Sequence, residues 1–436
     1  MQSQQVLIAA LFVVLLGAAR VHAQDQPQQP QTPATAVEHQ HDHAATTSLF
    51  APREGSGTAW LPGATEMYAL HGRAGGWELM AHGNAFLQFL HEAANEHRGS
   101  TQTGSINWLM LMARRNVGPA LLGLRTMVSL EAATIGECGY PDLLATGELC
   151  DGGAIHDRQH PHDFFMELAA DYERTLRGAV RWQIYGGLAG EPALGPVAYP
   201  HRPSAMPNPL APIGHHWLDA SHITFGVVTA GVFNQRWKAE ASLFNGREPD
   251  EDRWDVDLAA MDSYSGRLSF APAETLVLQV SAGHLHDAEA GEGSLARVDV
   301  DRVTASVVYH RRFGGERLWE STIAWGRNEE LGVGTHAWLL ESAVTRRQQD
   351  VWFGRLEIAE KPAHDLDVHD ATGAFVVGKA QGGYTRYLAQ ASGFLLGVGG
   401  QLSAGFVPEA IKPQYGSRAN LGIGFFVTLR PAAHRM

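Results

Sequence analysis

The chain has 436 residues and a formal net charge of −13, with 33 basic against 46 acidic side chains. That acidity argues against nucleic acid as a partner. The two cysteines, Cys138 and Cys150, lie close together in a polar segment; in an exported protein such a pair reads as a loop disulfide, and no CxxC redox or zinc pattern is present.

In chain order, "MQSQQVLIAALFVVLLGAARVHAQDQ" opens with an apolar run from Val6 to Ala19, short of the roughly 20 residues a spanning helix needs. Small residues end it at "VHA", so residues 1–23 read as a signal peptide cleaved after Ala23, although no Lys or Arg precedes the run. Residues 24–60, rich in Gln, Pro, Thr and Ala, read as a disordered periplasmic linker. Its "HQHDH" carries His39, His41 and His43, either a weak metal chelator or a solvated tail.

Residues 61–436 read as an outer-membrane barrel domain, and past residue 75 the pattern alternates with a period of two. In "RTMVSLEAA", Arg125, Met127, Ser129 and Glu131 oppose Val128 and Leu130; in "VWFGRLEIAE", Trp352, Leu356 and Ile358 oppose Phe353, Arg355 and Glu357. Successive strand side chains point to opposite faces, so each segment has one apolar and one polar face. Sixteen strands are predicted, at 77–92, 105–117, 119–134, 163–173, 179–189, 222–234, 236–245, 264–272, 275–286, 301–312, 317–328, 336–347, 349–360, 376–391, 394–407 and 417–430. Short connections such as "NVGP", "NQR" and "FGGE" alternate with long ones at 93–104, 135–162, 190–221, 246–263, 287–300, 329–335, 361–375 and 408–416. An even set of antiparallel strands with tight turns at one end and long loops at the other is the pattern of a transmembrane β-barrel of the outer membrane, with about 16 strands (14–18). Aromatics near strand ends (Trp182, Tyr309, Trp319, Trp325, Trp352, Phe425) suit an interfacial girdle. Soluble propellers and sandwiches seldom alternate connection lengths this way, and no blade-length repeat occurs.

The loop ending in "HDRQHPHD" and the loop "GEPALGPVAYPHRPSAMPNPLAPIGHHWLDASH" flank one hairpin, so both belong at the same, extracellular mouth. They bring His156, His160, His162, His201, His215, His216 and His222 there, with Asp163 and Asp219. Imidazole and carboxylate together suit a divalent transition metal, zinc or copper. The plainer reading is that His–Asp pairs pin two long loops. The polar face of the strands offers Arg125, Glu131, Arg181, Gln183, Glu240, Arg267, Arg302, Glu320, Glu341, Arg355 and Glu357 as pore-lining residues. They would set ion preference in a hydrated bore, or hold the wall together as ion pairs.

"GYPDLLATGE", "HDRQHPHDFFMELA", "GEPALGPVAYPHRPSAMPNPLAPIGHHWLDASHITFGVV" and "FNGREPDEDRWD" resemble an uncharacterised family of Gram-negative outer-membrane, porin-like barrels associated with heavy-metal-resistance loci. The resemblance spans about 75–430 and is densest over 137–257. It implies an outer-membrane location and barrel fold, tilts the function toward metals, and assigns no residue a role.

The expected function is a porin-like channel for small polar solutes or metal ions, with a His/Asp-rich mouth. Its partners would be outer-membrane lipid and that solute or ion, and a homotrimer suits a porin of this size. The alternatives are a plugged, non-conducting scaffold and a hydrolase using His156/Asp157, His162/Asp163 or Asp219/His222. No nucleophile motif accompanies those dyads, so no catalytic residue is assigned.

Overall fold

The computed structural model describes residues 49–50, 53–95, 98–289, 297–368 and 373–434. The signal peptide and the His39/His41/His43 tract lie outside the described residues. Sixteen antiparallel strands close into a barrel. They are β1 (Trp77–Glu92), β2 (Ser100–Val117), β3 (Ala120–Val128), β4 (Phe165–Arg177), β5 (Val180–Gly190), β6 (Thr224–Phe233), β7 (Trp237–Phe244) and β8 (Ser263–Ala273). The circuit continues with β9 (Leu276–Glu289), β10 (Val298–Phe313), β11 (Arg317–Glu330), β12 (Val333–Arg346), β13 (Asp350–Pro362), β14 (Ala374–Ala391), β15 (Phe394–Phe406) and β16 (Ala419–Pro431).

Closure joins β16 to β1, from Gly422 opposite Glu92 to Leu429 opposite Ala85. A short strand, Leu70–Ala74, pairs with the remaining edge of β1 from Leu70 opposite Ala81 to Ala74 opposite Trp77. No sheet edge therefore faces lipid along the closing pair, as a hydrocarbon surround demands. The outer face is apolar: Leu243, Leu268, Trp338, Leu356, Leu402 and Phe425 are each more than half exposed. Trp319 and Trp352 of the expected girdle are also exposed.

Four expectations shift. The strand expected over 119–134 stops at Val128, and Glu131–Ile135 is a short helix. Asn107 causes the stop, because its Oδ1 accepts the Leu130 amide while its own amide donates to the Glu131 carboxylate. Glu131 thus belongs to a loop, not to the wall. The connection expected over 329–335 is a two-residue turn, Leu331–Gly332, with both residues at positive φ, the geometry that matches strand twist in a tight hairpin. In β4 a bulge opposite Met127/Val128 shifts the alternation, so that Met166 and Glu167 are both buried. Finally, the linker expected over 24–60 does not extend that far: Gly55–Trp60 is half-buried to buried, with Lys238 donating to the Thr58 carbonyl and Arg125 to that of Gly57.

Numbering the long-side connections L1 to L8, L2 (129–164) and L3 (191–223) fold inward. L2 contains a hairpin, Tyr140–Cys150 with Gly153–Gln159, closed by the Cys138–Cys150 disulfide. Lys379 of β14 bonds Asp142 of that hairpin, and Lys361 of β13 bonds Thr146. L3 is nearly all buried and reaches strands far around the wall. Its Ala193 and Gly195 amides donate to Ser242 and Ser281, Arg202 pairs with Glu341, Trp217 donates to Thr335, and Asn208 donates to Gln381. Leu143, Leu144, Ile213, Trp217 and Leu218 pack on Ala324, Ala337, Leu339 and Ala359. Each fully buried large side chain there contributes about 1.5–3 kcal/mol. The lumen holds a hydrophobic core of its own.

Candidate functional site

Four of the five histidines that gather between L2 and L3 have carboxylate partners. Glu131, at the start of the short helix, accepts from the His162 amide and lies 2.8 Å from His162 Nδ1. Asp219 Oδ1 is 2.9 Å from His215 Nδ1, one helical turn away. Glu148, delivered by the L2 hairpin, is 3.1 Å from His160 Nδ1; Glu248 of L4 (245–262) is 3.0 Å from His216 Nδ1. His222 Nδ1 instead faces the backbone carbonyl of Asp219 at 2.8 Å.

Every Nδ1 in the group therefore faces an oxygen, an arrangement that in a neutral ring favours the proton on Nδ1 and the lone pair on Nε2. The Nε2 atoms of His160, His216 and His222 are buried without a hydrogen-bond partner among the described residues, while that of His162 meets the Tyr199 hydroxyl at 3.1 Å. The rings are neighbours: His215 lies 5.1 Å from His222, 5.5 Å from His216 and 6.0 Å from His160, and His162 lies 5.3 Å from His222. An imidazole whose other nitrogen is held by a carboxylate is the usual support of a metal-ligating histidine.

Burial lowers the pKa of His215 to about 4 and holds His160 and His222 well below the ordinary range. Burial acts against the His162 cation as well, but Glu131 more than offsets it, so His162 is raised. Burial likewise lifts Asp163 to about 7 against the pull of Arg253, 3.7 Å away. Asp219 uses both oxygens: Oδ2 accepts from Arg202 and from the Tyr199 amide, each near 2.9 Å or closer. It orients its neighbours.

One compact ligand set is complete at the edge of this group. A nitrogen of His216 and one oxygen each of Glu248 and Glu289 lie within 4.8 Å of one another. The other four histidines form no such trio among the described residues. Glu148, Glu289 and Tyr199 were not singled out in the sequence, because no spacing rule links them to histidines that only the folded hairpin and the β9 end bring near.

Two predicted residues lie elsewhere. His156 is half-exposed on the hairpin, 3.5 Å from Asp367. His201 sits lower in the lumen against Trp108 and Met127. The hydrolase dyads do not form as paired: Asp157 is bound by Arg98, Asp163 faces Arg253, and Asp219 holds His215.

Of the expected pore-lining residues, Arg125, Glu131, Glu240, Arg267, Arg302, Glu320, Glu341, Arg355 and Glu357 are buried, whereas Arg181 and Gln183 are partly exposed. Glu341 joins Arg202 of L3 to Arg355, which also donates to the Leu210 carbonyl. Glu357 accepts the Gly214 amide, and Arg267 bonds Glu240, Gly195 and Thr58. Arg302 donates to Asn328, whose amide holds the His216 carbonyl. Much of this wall holds the inserted segments.

No protein-family model matches the chain, and no curated protein matches it in sequence. Among solved structures, OmpF of Salmonella typhi in complex with daunomycin is similar with a TM-score of 0.50 at 8% identity, over 83% of this chain and 100% of that one. An anion-selective porin from Comamonas acidovorans (TM-score 0.49, 11% identity, 81% and 99% covered) and the channel DcaP of Acinetobacter baumannii (0.48, 10%, 82% and 98%) are also similar. At these identities the likeness concerns the fold, a porin-type closed barrel.

Proposed function

We propose that this chain is a porin-like outer-membrane protein in which L2 and L3 form a metal-responsive closure, binding zinc or divalent copper through their histidines. One observation carries the reading: the buried imidazoles of His160, His216 and His222 each have Nδ1 facing an oxygen and Nε2 without a hydrogen-bond partner among the described residues. Neutral imidazole and carboxylate oxygen are the donors those metals take. His216, Glu248 and Glu289 would hold the ion, with His160 and His215 beside them. The ion would tie L3 and L4 to the end of β9, with His160 of L2 alongside, so metal occupancy and loop position become linked. Small polar solutes or the metal ions themselves would be the passengers, in keeping with the heavy-metal loci that the sequence resemblance suggests.

A second reading has its own support. The apolar core between the loops and the wall favours a sealed, non-conducting metal-binding scaffold.

Planar-bilayer conductance and zinc stoichiometry of the purified protein test both. Channels that zinc closes or opens support the gated barrel. Stoichiometric zinc without conductance supports the scaffold, and absence of zinc binding overturns both. Cross-linking the same preparation in detergent tests the homotrimer.

A further inference from the structure

Six of the chain's ten methionines, Met67, Met80, Met110, Met112, Met127 and Met206, collect where the inner wall of β1–β3 meets L3 and the N-terminal segment. The pairing explains the gathering. Met80 stands opposite Met112, and Met110 stands opposite both His82 on β1 and Met127 on β3. L3 then lowers His201 and Met206 onto them, and they line a cavity of about 70 Å³.

The contacts inside are between nitrogen and sulfur. His82 Nε2 is 3.0 Å from Met110 Sδ, and His201 Nε2 is 3.2 Å from Met127 Sδ. The two imidazoles lie 5.4 Å apart, and Trp108 contacts both, at 5.3 and 4.7 Å between centroids. Methionine often fills irregular gaps in a core, but gap filling does not explain why two half-buried imidazoles each turn a nitrogen to a thioether. The five loop histidines, by contrast, all aim Nδ1 at oxygen. Neighbouring inward positions on these strands are charged, as Glu78, Arg114 and Arg125 show, so a thioether patch here is a local departure from the wall's chemistry.

Thioether sulfur is a soft, uncharged donor that favours monovalent copper over zinc or calcium, and imidazole suits copper as well. The carboxylates at the cavity edge are already engaged, Glu54 by Arg114 and Glu66 by Arg312. A neutral ligand set in a buried place is suited to a single positive charge, because desolvating a second would cost far more. We propose that His82, His201, Met110 and Met127 bind a soft monovalent cation, Cu(I) or Ag(I), inside the lumen. The site shares no donor with the five-histidine group, so it stands or falls separately from the zinc reading.

Ag(I) is the probe, since it is soft and needs no reductant. Full-length protein in chloride-free detergent buffer is loaded with one equivalent, and silver-edge X-ray absorption reads the ligands. Sulfur together with nitrogen in the first shell is expected. Replacing Met110 and Met127 by leucine keeps the volume and should weaken Ag(I) binding at least about tenfold, with zinc binding unchanged. Folding is verified by heat-modifiable gel mobility; if the double variant fails that check, M127L and H201Q are read singly. A first shell without sulfur in the unaltered protein, or unchanged Ag(I) affinity in a folded leucine variant, overturns the proposal.

Discussion

Gly147 has φ near +115°, and a Cβ there would stand 2.1 Å from His216 Nε2. The position needs glycine twice, for backbone freedom and for the space taken by the ring. Gly147→Ala should therefore displace His216 and lower zinc affinity at least about tenfold, with heat-modifiable mobility retained; calorimetric titration measures it. Glu191, at the start of L3, gives a pH prediction. Burial pushes its carboxyl up to about 8, against the pull of Arg267 3.7 Å away. An unfolded glutamate releases its proton near ~4.3. Between those values the folded state binds more protons, so its stability should fall as pH rises through the window and level off beyond it. Glu191→Gln mimics the protonated form and should flatten that profile, as urea unfolding in detergent at several pH values would show. At this scale the histidines were legible as a group, since composition and topology sufficed to bring two loops to one rim. Their partners were not, because Glu131 looked like one more inward strand position until Asn107 ended β3.

Among the elements, L3 decides the character of the lumen. Its seven prolines between 192 and 212 restrict the chain, and its polar groups find partners on β7, β9, β11, β12, β13 and β14. Trp217 also fits against Gly326, where a Cβ would meet the Trp217 carbonyl at 2.1 Å. Shortening L3 over 192–222 removes this packing, and bilayer recordings should then show steady conductance that zinc no longer alters. The L2 hairpin depends on its cystine, which spans a separation of 12 residues. Closing a loop of that size stabilises by about 3 kcal/mol, here a local effect on the hairpin. Cys138→Ala with Cys150→Ala should leave the barrel folded yet loosen Glu148 and His160, reducing zinc affinity by about 10–100-fold. Element boundaries were least legible where side chains intervene in the ladder, as at Asn107 and at the β4 bulge. The sequence around the two-residue turn at Leu331–Gly332 reads as a longer polar loop because its flanks, Asn328–Glu330 and Gly334–His336, are polar, yet both flanks continue the strand pairing.

For the molecule as a whole, the apolar outer face and the charged inner face come from one alternation, and closure follows because an open edge would leave unpaired backbone groups in hydrocarbon. The plug segments add a second set of interactions within that wall. Removing residues 24–66 breaks the bonds of Arg125, Lys238 and Arg267 to Gly57 and Thr58 and takes Glu54 and Glu66 away from Arg114 and Arg312, leaving the lumen wall more positive. In the shortened-L3 background this truncation should shift conductance toward anions, checked by reversal potential in a salt gradient. What the sequence determined by itself was the strand count, the alternation of faces, the division into short-turn and long-loop ends and the cystine, because each depends on periodicity or spacing along one chain. What only the tertiary structure decided was the contents of the lumen: L2, L3 and the segment around Gly57 inside it, the buttressed histidines, and methionine sulfurs against His82 and His201. Those depend on residues up to hundreds of positions apart meeting across a closed barrel, and no local pattern encodes which inward side chain a loop will reach.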